Sequence, residues 1–169
     1  PAEPEILTQA ANEGATLLCV GSHGHGRLTG ILIGSLSTTL LHDATCAVLV
    51  ARQASDDPAF PRSLVAGVDG SAESDGALAV AEELRERFGV PLRTLIATKG
   101  KNVDLEAVLA ARPEVETVHA KPVDALVDAG KETDLLVIGS SGKHGVRALG
   151  SVSERVAHQA RCSVLIVRR

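Results

Sequence analysis

Apolar positions follow two alternating rhythms along most of this chain. Leu92–Ala97 reads as a strand, and the near-continuous apolar runs at Leu64–Val68, Leu135–Ile138 and Ser163–Val167 have the length of strands and lack polar alternation. That is the pattern of strands covered on both faces. From about Ser74 to Phe88 the rhythm changes: Ala77, Val80, Ala81, Leu84 and Phe88 recur at helical spacing, and Gly89-Val90-Pro91 stops the run. A short helix near Leu105–Ala111, a weak strand near Val115–His119, and helices over Val123–Lys131 and Val152–Gln159 complete the series. Strands alternating with helices predict an α/β fold, doubly wound, with a mostly parallel five-stranded sheet and helices on both faces.

The same signal occurs twice. Thr16-Leu17-Leu18-Cys19-Val20-Gly21-Ser22 matches Asp134-Leu135-Leu136-Val137-Ile138-Gly139-Ser140 at an offset of 118. Gly34-Ser35-Leu36-Ser37 matches Gly150-Ser151-Val152-Ser153 at an offset of 116, which persists through His42/His158, Cys46/Cys162 and Val48-Leu49/Val164-Leu165. Two full repeats at that spacing do not fit in 169 residues. The chain therefore divides into a partial copy over 1–52, a polar, proline-bearing linker over 53–62, and a complete copy over 63–169.

In such sheets ligands sit beyond the carboxyl ends of the strands, where strand order reverses. After Val20 comes a glycine-rich segment, Gly21 to Ser35, placed between a strand and a helix. Glycines admit close approach of backbone N–H groups, and a helix N-terminus favours negative charge, so phosphate is the ligand this arrangement suits. None of Gly100-Lys101, Gly130-Lys131 and Gly142-Lys143 is followed by Ser or Thr, so there is no Walker A sequence, and no GxGxxG follows a strand. The alternative is a connection that merely turns the chain and caps the next helix, with Ser151 and Glu154 as a capping box.

Composition narrows the classes. Apolar residues are 44% and charged residues 22%, enough for a packed core. With 17 Lys+Arg against 21 Asp+Glu, net charge −4, and only Phe60 and Phe88 as aromatics, nucleic acid is not an expected partner. No apolar run approaches the ~20 residues of a membrane span, and Pro1-Ala2-Glu3-Pro4-Glu5 lacks the basic start of a signal peptide. It also lacks an initiator Met, so the true N-terminus is expected upstream. Cys19, Cys46 and Cys162, scattered singly in apolar segments, read as reduced thiols filling a core in the cytoplasm.

Together these features resemble the universal stress protein family. The resemblance rests on Val68-Asp69-Gly70-Ser71 after the first complete strand, on Leu17-Leu18-Cys19-Val20-Gly21-Ser22, and on the spaced motif G-x2-G-x9-G-[ST]. It implies a fold like that of the adenine nucleotide α-hydrolases. It also implies an adenine nucleotide ligand (ATP, or ADP or AMP, with or without Mg2+) whose phosphates and ribose lie on the motif and whose adenosine lies by the Asp. Carried over, the motif falls on Gly21, Gly24, Gly34 and Ser35, and again on Gly139, Gly142, Gly150 and Ser151, with Asp69 as the acid. Nine residues separate Gly24 from Gly34, but only seven separate Gly142 from Gly150. The partial copy has the full loop and no counterpart of Asp69; the complete copy has Asp69 and a shortened loop.

The resemblance further implies pairing through last strands, in a tandem or a homodimer, with Ala47–Val50 antiparallel to Val164–Val167. Two functions stay open: an ATP-binding regulatory module of the stress response, or a nucleotide-free dimerisation and partner-binding module. Catalysis is not expected, since no G-x-S-x-G elbow accompanies Asp69 and Ser71. An α-hydrolase enzyme would need a further substrate domain. His23 and His25 read as loop lining rather than a metal pair. Lys143, His144 and Arg147 are either phosphate-directed or solvated cations, and His42 and His158 read as structural.

Overall fold

The computed structural model describes residues 2–22, 33–52, 59–100, 103–140 and 149–168. In chain order the elements are α1 (Ala2–Asn12), β1 (Leu17–Gly21), α2 (Ser35–Asp43), β2 (Ala47–Ala51), β3 (Leu64–Val68), α3 (Ala72–Phe88) and β4 (Leu92–Ala97). They continue with α4 (Leu105–Ala111), β5 (Glu116–Val118), α5 (Pro122–Ala129), β6 (Leu135–Gly139), α6 (Ser151–Gln159) and β7 (Ser163–Val167).

The strands form one seven-stranded sheet in the order β1-β2-β7-β6-β3-β4-β5. The five-stranded sheet expected for residues 63–169 is thus extended by β1 and β2 rather than standing alone. All neighbours are parallel except β2 and β7, which run antiparallel. Their register pairs Val48 with Ile166, Leu49 with Leu165, and Val50 with Val164. Leu49 therefore faces its own repeat equivalent, and a local two-fold axis passes through that pair, as in an isologous contact.

Side chains of one strand alternate between two cores. Leu64, Ala66 and Val68 pack under α3 and α4 with Ala77, Leu78, Ala81 and Val108. Val65, Leu95, Leu136, Val164 and Ile166 face the opposite layer, with Val123 and Leu126 of α5 and Val156 and Ala157 of α6. Helix α3 starts on Ser71 as N-cap, whose Oγ accepts from Ser74 N at 3.2 Å, and stops at Gly89 in the left-handed conformation (φ 65°).

Two expectations are corrected. Cys19 is exposed rather than buried, because β1 is an edge strand and, among the described residues, no helix equivalent to α3 lies over it; Cys46 and Cys162 are buried as expected. Ser151 is the first helical residue, not a cap: Gly150 occupies the N-cap without a side-chain bond. Glu154 turns instead to His42 Nε2 at 3.2 Å, linking α6 to α2. Of the expected linker, residues 53–58 lie outside the described set, while Arg62 is anchored to Asp134 by its backbone N and its guanidinium.

Candidate functional site

Strand order reverses between β3 and β6, and a cleft opens there at their carboxyl ends, as doubly wound sheets require. It encloses about 570 Å3 of empty space, part of it open to solvent. One side is the turn from β3 into α3. Gly70, at φ 79°, allows the chain to fold back, so that Ser71 donates to Asp69 Oδ1 from both its backbone N (3.2 Å) and its Oγ (2.5 Å). Ser74 Oγ donates to Ser71 O at 2.9 Å and accepts from Asp69 N at 3.3 Å. The Asp69 carboxylate is thereby fixed at the rim by short polar bonds.

Across the cleft, Gly139 ends β6 against the first turn of α3. A Cβ on Gly139 would stand 2.5 Å from Glu73 O, so the glycine is required by backbone packing before any ligand is considered. Ser153 Oγ donates to Gly139 O at 2.7 Å, tying the start of α6 to the strand end. The first α6 amide bonded within the helix is that of Glu154, to Gly150 O. Those of Ser151, Val152 and Ser153 have no partner in the helix and carry the positive end of its dipole. The third wall is apolar, formed by Val103, Pro122 and Leu126.

The front segment repeats half of this. Ser37 Oγ donates to Gly21 O at 2.7 Å, as Ser153 does to Gly139 O. Gly34 is the N-cap of α2, with φ −64° and ψ 160°, conformations open to any residue, and a Cβ there would meet nothing within 4 Å. The described residues therefore supply no packing reason for Gly34, which precedes the exposed Ser35. The Gly34 amide itself donates to Ser22 O at 3.3 Å and is not free for an anion. Among the described residues no acid takes the place of Asp69 on this side, since β1 has only β2 beside it.

Of the residues expected from sequence, Asp69 and Gly139 line one cleft, with Gly150 and Ser151 at the start of the helix that walls it. Gly21, Gly34 and Ser35 gather at the far end of the sheet, at the carboxyl end of β1. Gly24, Gly142, His23, His25, Lys143, His144 and Arg147 lie outside the described residues. Sequence reasoning missed Val103, Pro122 and Leu126, whose apolar character looks like ordinary core. It also missed the Ser37/Ser153 tie, although both serines stand in the repeat. The donors and acceptors present fit a nucleoside phosphate: an apolar wall for a base, a carboxylate for hydroxyls, and helix amides for an anion. No cluster of His, Cys, Asp and Glu able to hold a metal occurs among the described residues. No described helix is long and apolar enough to cross a membrane.

The Universal stress protein family model matches residues 1–52 and 97–168. These stretches contain the repeat-related segments, while β3 and α3 fall outside both. A universal stress protein of Mycolicibacterium smegmatis is 35% identical over 189 aligned positions, covering 94% of this chain and 63% of its own length. One from Mycobacterium tuberculosis is 33% identical over 183, covering 91% and 62%. The chain thus spans less than two thirds of the length of these curated relatives. The crystal structure of a universal stress protein from Archaeoglobus fulgidus has the same fold, with a TM-score of 0.80 at 24% identity, over 98% of this chain and 66% of that one. A universal stress protein solved in complex with cAMP aligns with a TM-score of 0.54 at 27% identity, over 64% of this chain and 97% of its own.

Proposed function

The chain belongs to the universal stress protein family, and we propose that it works there as an adenine-nucleotide-binding regulatory module of the stress response. The observation that carries this reading is the cleft at the switch point, where a fixed carboxylate and a helix N-terminus converge opposite an apolar wall. In this reading the base lies against Pro122 and Leu126, Asp69 accepts from ribose hydroxyls, and the α6 amides face the phosphates. ATP, ADP or AMP is the ligand, with or without Mg2+. The similar protein that holds cAMP supports the nucleotide class. The role is binding in the cytoplasm, with occupancy shifting a conformational or pairing equilibrium, rather than catalysis.

We read residues 1–52 as the C-terminal half of one family domain, 53–62 as a linker and 63–169 as a complete second domain. The reciprocal β2–β7 register and the family model's two separate stretches support that division.

The test is the ultraviolet spectrum of freshly purified, desalted protein. The chain has no Trp or Tyr, so bound adenine would dominate the near ultraviolet. Stoichiometric nucleotide, identified by chromatography after denaturation, is expected. An empty protein that also takes up no ATP on calorimetric titration refutes the reading. That outcome would favour a nucleotide-free dimerisation or partner-binding module, for which the shorter Gly142–Gly150 spacing already speaks.

A further inference from the structure

Two arginines occupy equivalent places in the repeat, Arg52 just after β2 and Arg168 just after β7, and both are only partly exposed. Arg52 Nη2 donates to the carbonyl of Ala157 in α6, and Arg168 Nη2 donates to the carbonyl of Leu41 in α2. Leu41 and Ala157 are themselves repeat equivalents, so each arginine crosses the local two-fold axis to grip the other segment's helix. The gripped atoms are not arbitrary. The last helical amide bonds run from Ala44 N to Leu40 O and from Ala160 N to Val156 O. Leu41 O and Ala157 O are thus the next carbonyls in line. Neither helix ends in the left-handed glycine cap that closes α3; both exit through an extended alanine. A guanidinium supplies the missing donor and places a cation at the negative end of the dipole.

Each helix is then a short rod fixed at two points. At its start a serine holds the strand-end glycine carbonyl (Ser37 to Gly21, Ser153 to Gly139); near its end stands the crossing arginine. The two grips are unequal in charge. Asp43 acts on Arg168, whereas the repeat equivalent of Asp43 is the neutral Gln159.

We propose that Arg52 is a positioning residue for the cleft at the end of β3 and β6: by fixing α6 through Ala157 it sets Val152 and Ser153, which line that cleft, while Arg168 does the same for α2. This rests on the nucleotide reading for its functional consequence, but not for its structural one. The test compares the twin variants Arg52→Ala and Arg168→Ala in the whole chain, by amide hydrogen exchange and by ATP titration. Arg52→Ala speeds exchange in α6 and weakens ATP binding about three- to tenfold. Arg168→Ala speeds exchange in α2 and leaves that affinity unchanged, and Arg52→Lys, which keeps a cationic donor, recovers most of the loss. Equal effects of both variants on both helices, or none on either, overturn the proposal. If the unmodified chain takes up no ATP, the nucleotide reading fails alone, and the exchange pattern still decides whether the arginines act crosswise.

Discussion

Replacing Gly139 by alanine sets the packing of the cleft against its own backbone. The added methyl carbon would stand 2.5 Å from Glu73 O, 2.7 Å from the Glu73 carbonyl carbon and 3.0 Å from Ser74 N. Comfortable separations for such atoms are ~3.5 Å or more, so about 1 Å of retreat is needed. All three neighbours are main-chain atoms in the first turn of α3, and no rotamer change relieves them. The helix cannot withdraw freely, because Ala77, Leu78 and Ala81 are buried against the sheet and Ser71 and Ser74 are bonded into the Asp69 turn. Overpacking of this kind costs ~1–3 kcal/mol, and a clash with backbone atoms, which no rotamer relieves, belongs at the upper end. In a chain of this size ~1 kcal/mol corresponds to ~2–4 °C in Tm, so a loss of about 5–10 °C is expected. Differential scanning calorimetry or a circular dichroism melt reads it directly. Gly34→Ser is the control: its backbone angles suit any residue, nothing crowds the new Cβ, and serine is a good N-cap, so its Tm holds or rises slightly. A Gly139→Ala variant melting with the unmodified chain would refute the claim that α3 rests on this glycine.

The Arg62 hydrogen bonds hold the Asp134 carboxyl below the ordinary carboxylate range. A depressed acid stabilises the fold above its unfolded pKa of ~3.9 and loses that contribution as pH falls through the folded value. In urea titrations Arg62→Ala should therefore lower the midpoint at pH 7, with a gap to the parent chain that narrows as pH falls below about 4 and through the folded value; a gap that stays constant on acidification would contradict this. Burial pushes the Cys162 thiol up to about 11, Cys46 is also buried, and Cys19 is exposed. Titration with a thiol reagent at pH 8 should find one fast cysteine in the native chain and three in denaturant, and two fast thiols would show that a buried cysteine is accessible.

The strands were legible with nearly correct ends, most simply where burial on both faces leaves no polar position to blur the pattern, as in Leu64–Val68; Leu92–Ala97 was legible although Arg93 and Thr94 interrupt its apolar run. Leu64–Val68, Leu92–Ala97 and Ser163–Val167 occur at the expected bounds. The weakest element, near Val115–His119, contracted to Glu116–Val118, as an edge strand does when one neighbour is missing. The place of Asp69 at the strand end beside the cleft was readable from Asp69-Gly70-Ser71 after a strand. The role of Gly139 was not: a glycine needed for ligand approach and one needed for helix approach look identical in sequence. Likewise Ser151 and Glu154 have capping-box spacing, yet the box does not form, because Glu154 has a partner on another helix in His42.

Local chemistry explains what the chain alone determined. Hydrophobic period, glycine spacing and the internal repeat depend on neighbouring residues, and they specified the α/β class, the element order and the glycine-bearing turns. Which residues meet across the sheet was decided only by tertiary structure. The β2–β7 register brings Arg52 to Ala157 and Arg168 to Leu41 across more than a hundred residues, and the reversal between β3 and β6 opens the cleft. Such pairings depend on burying two apolar faces at once, a condition that no local stretch of sequence can express.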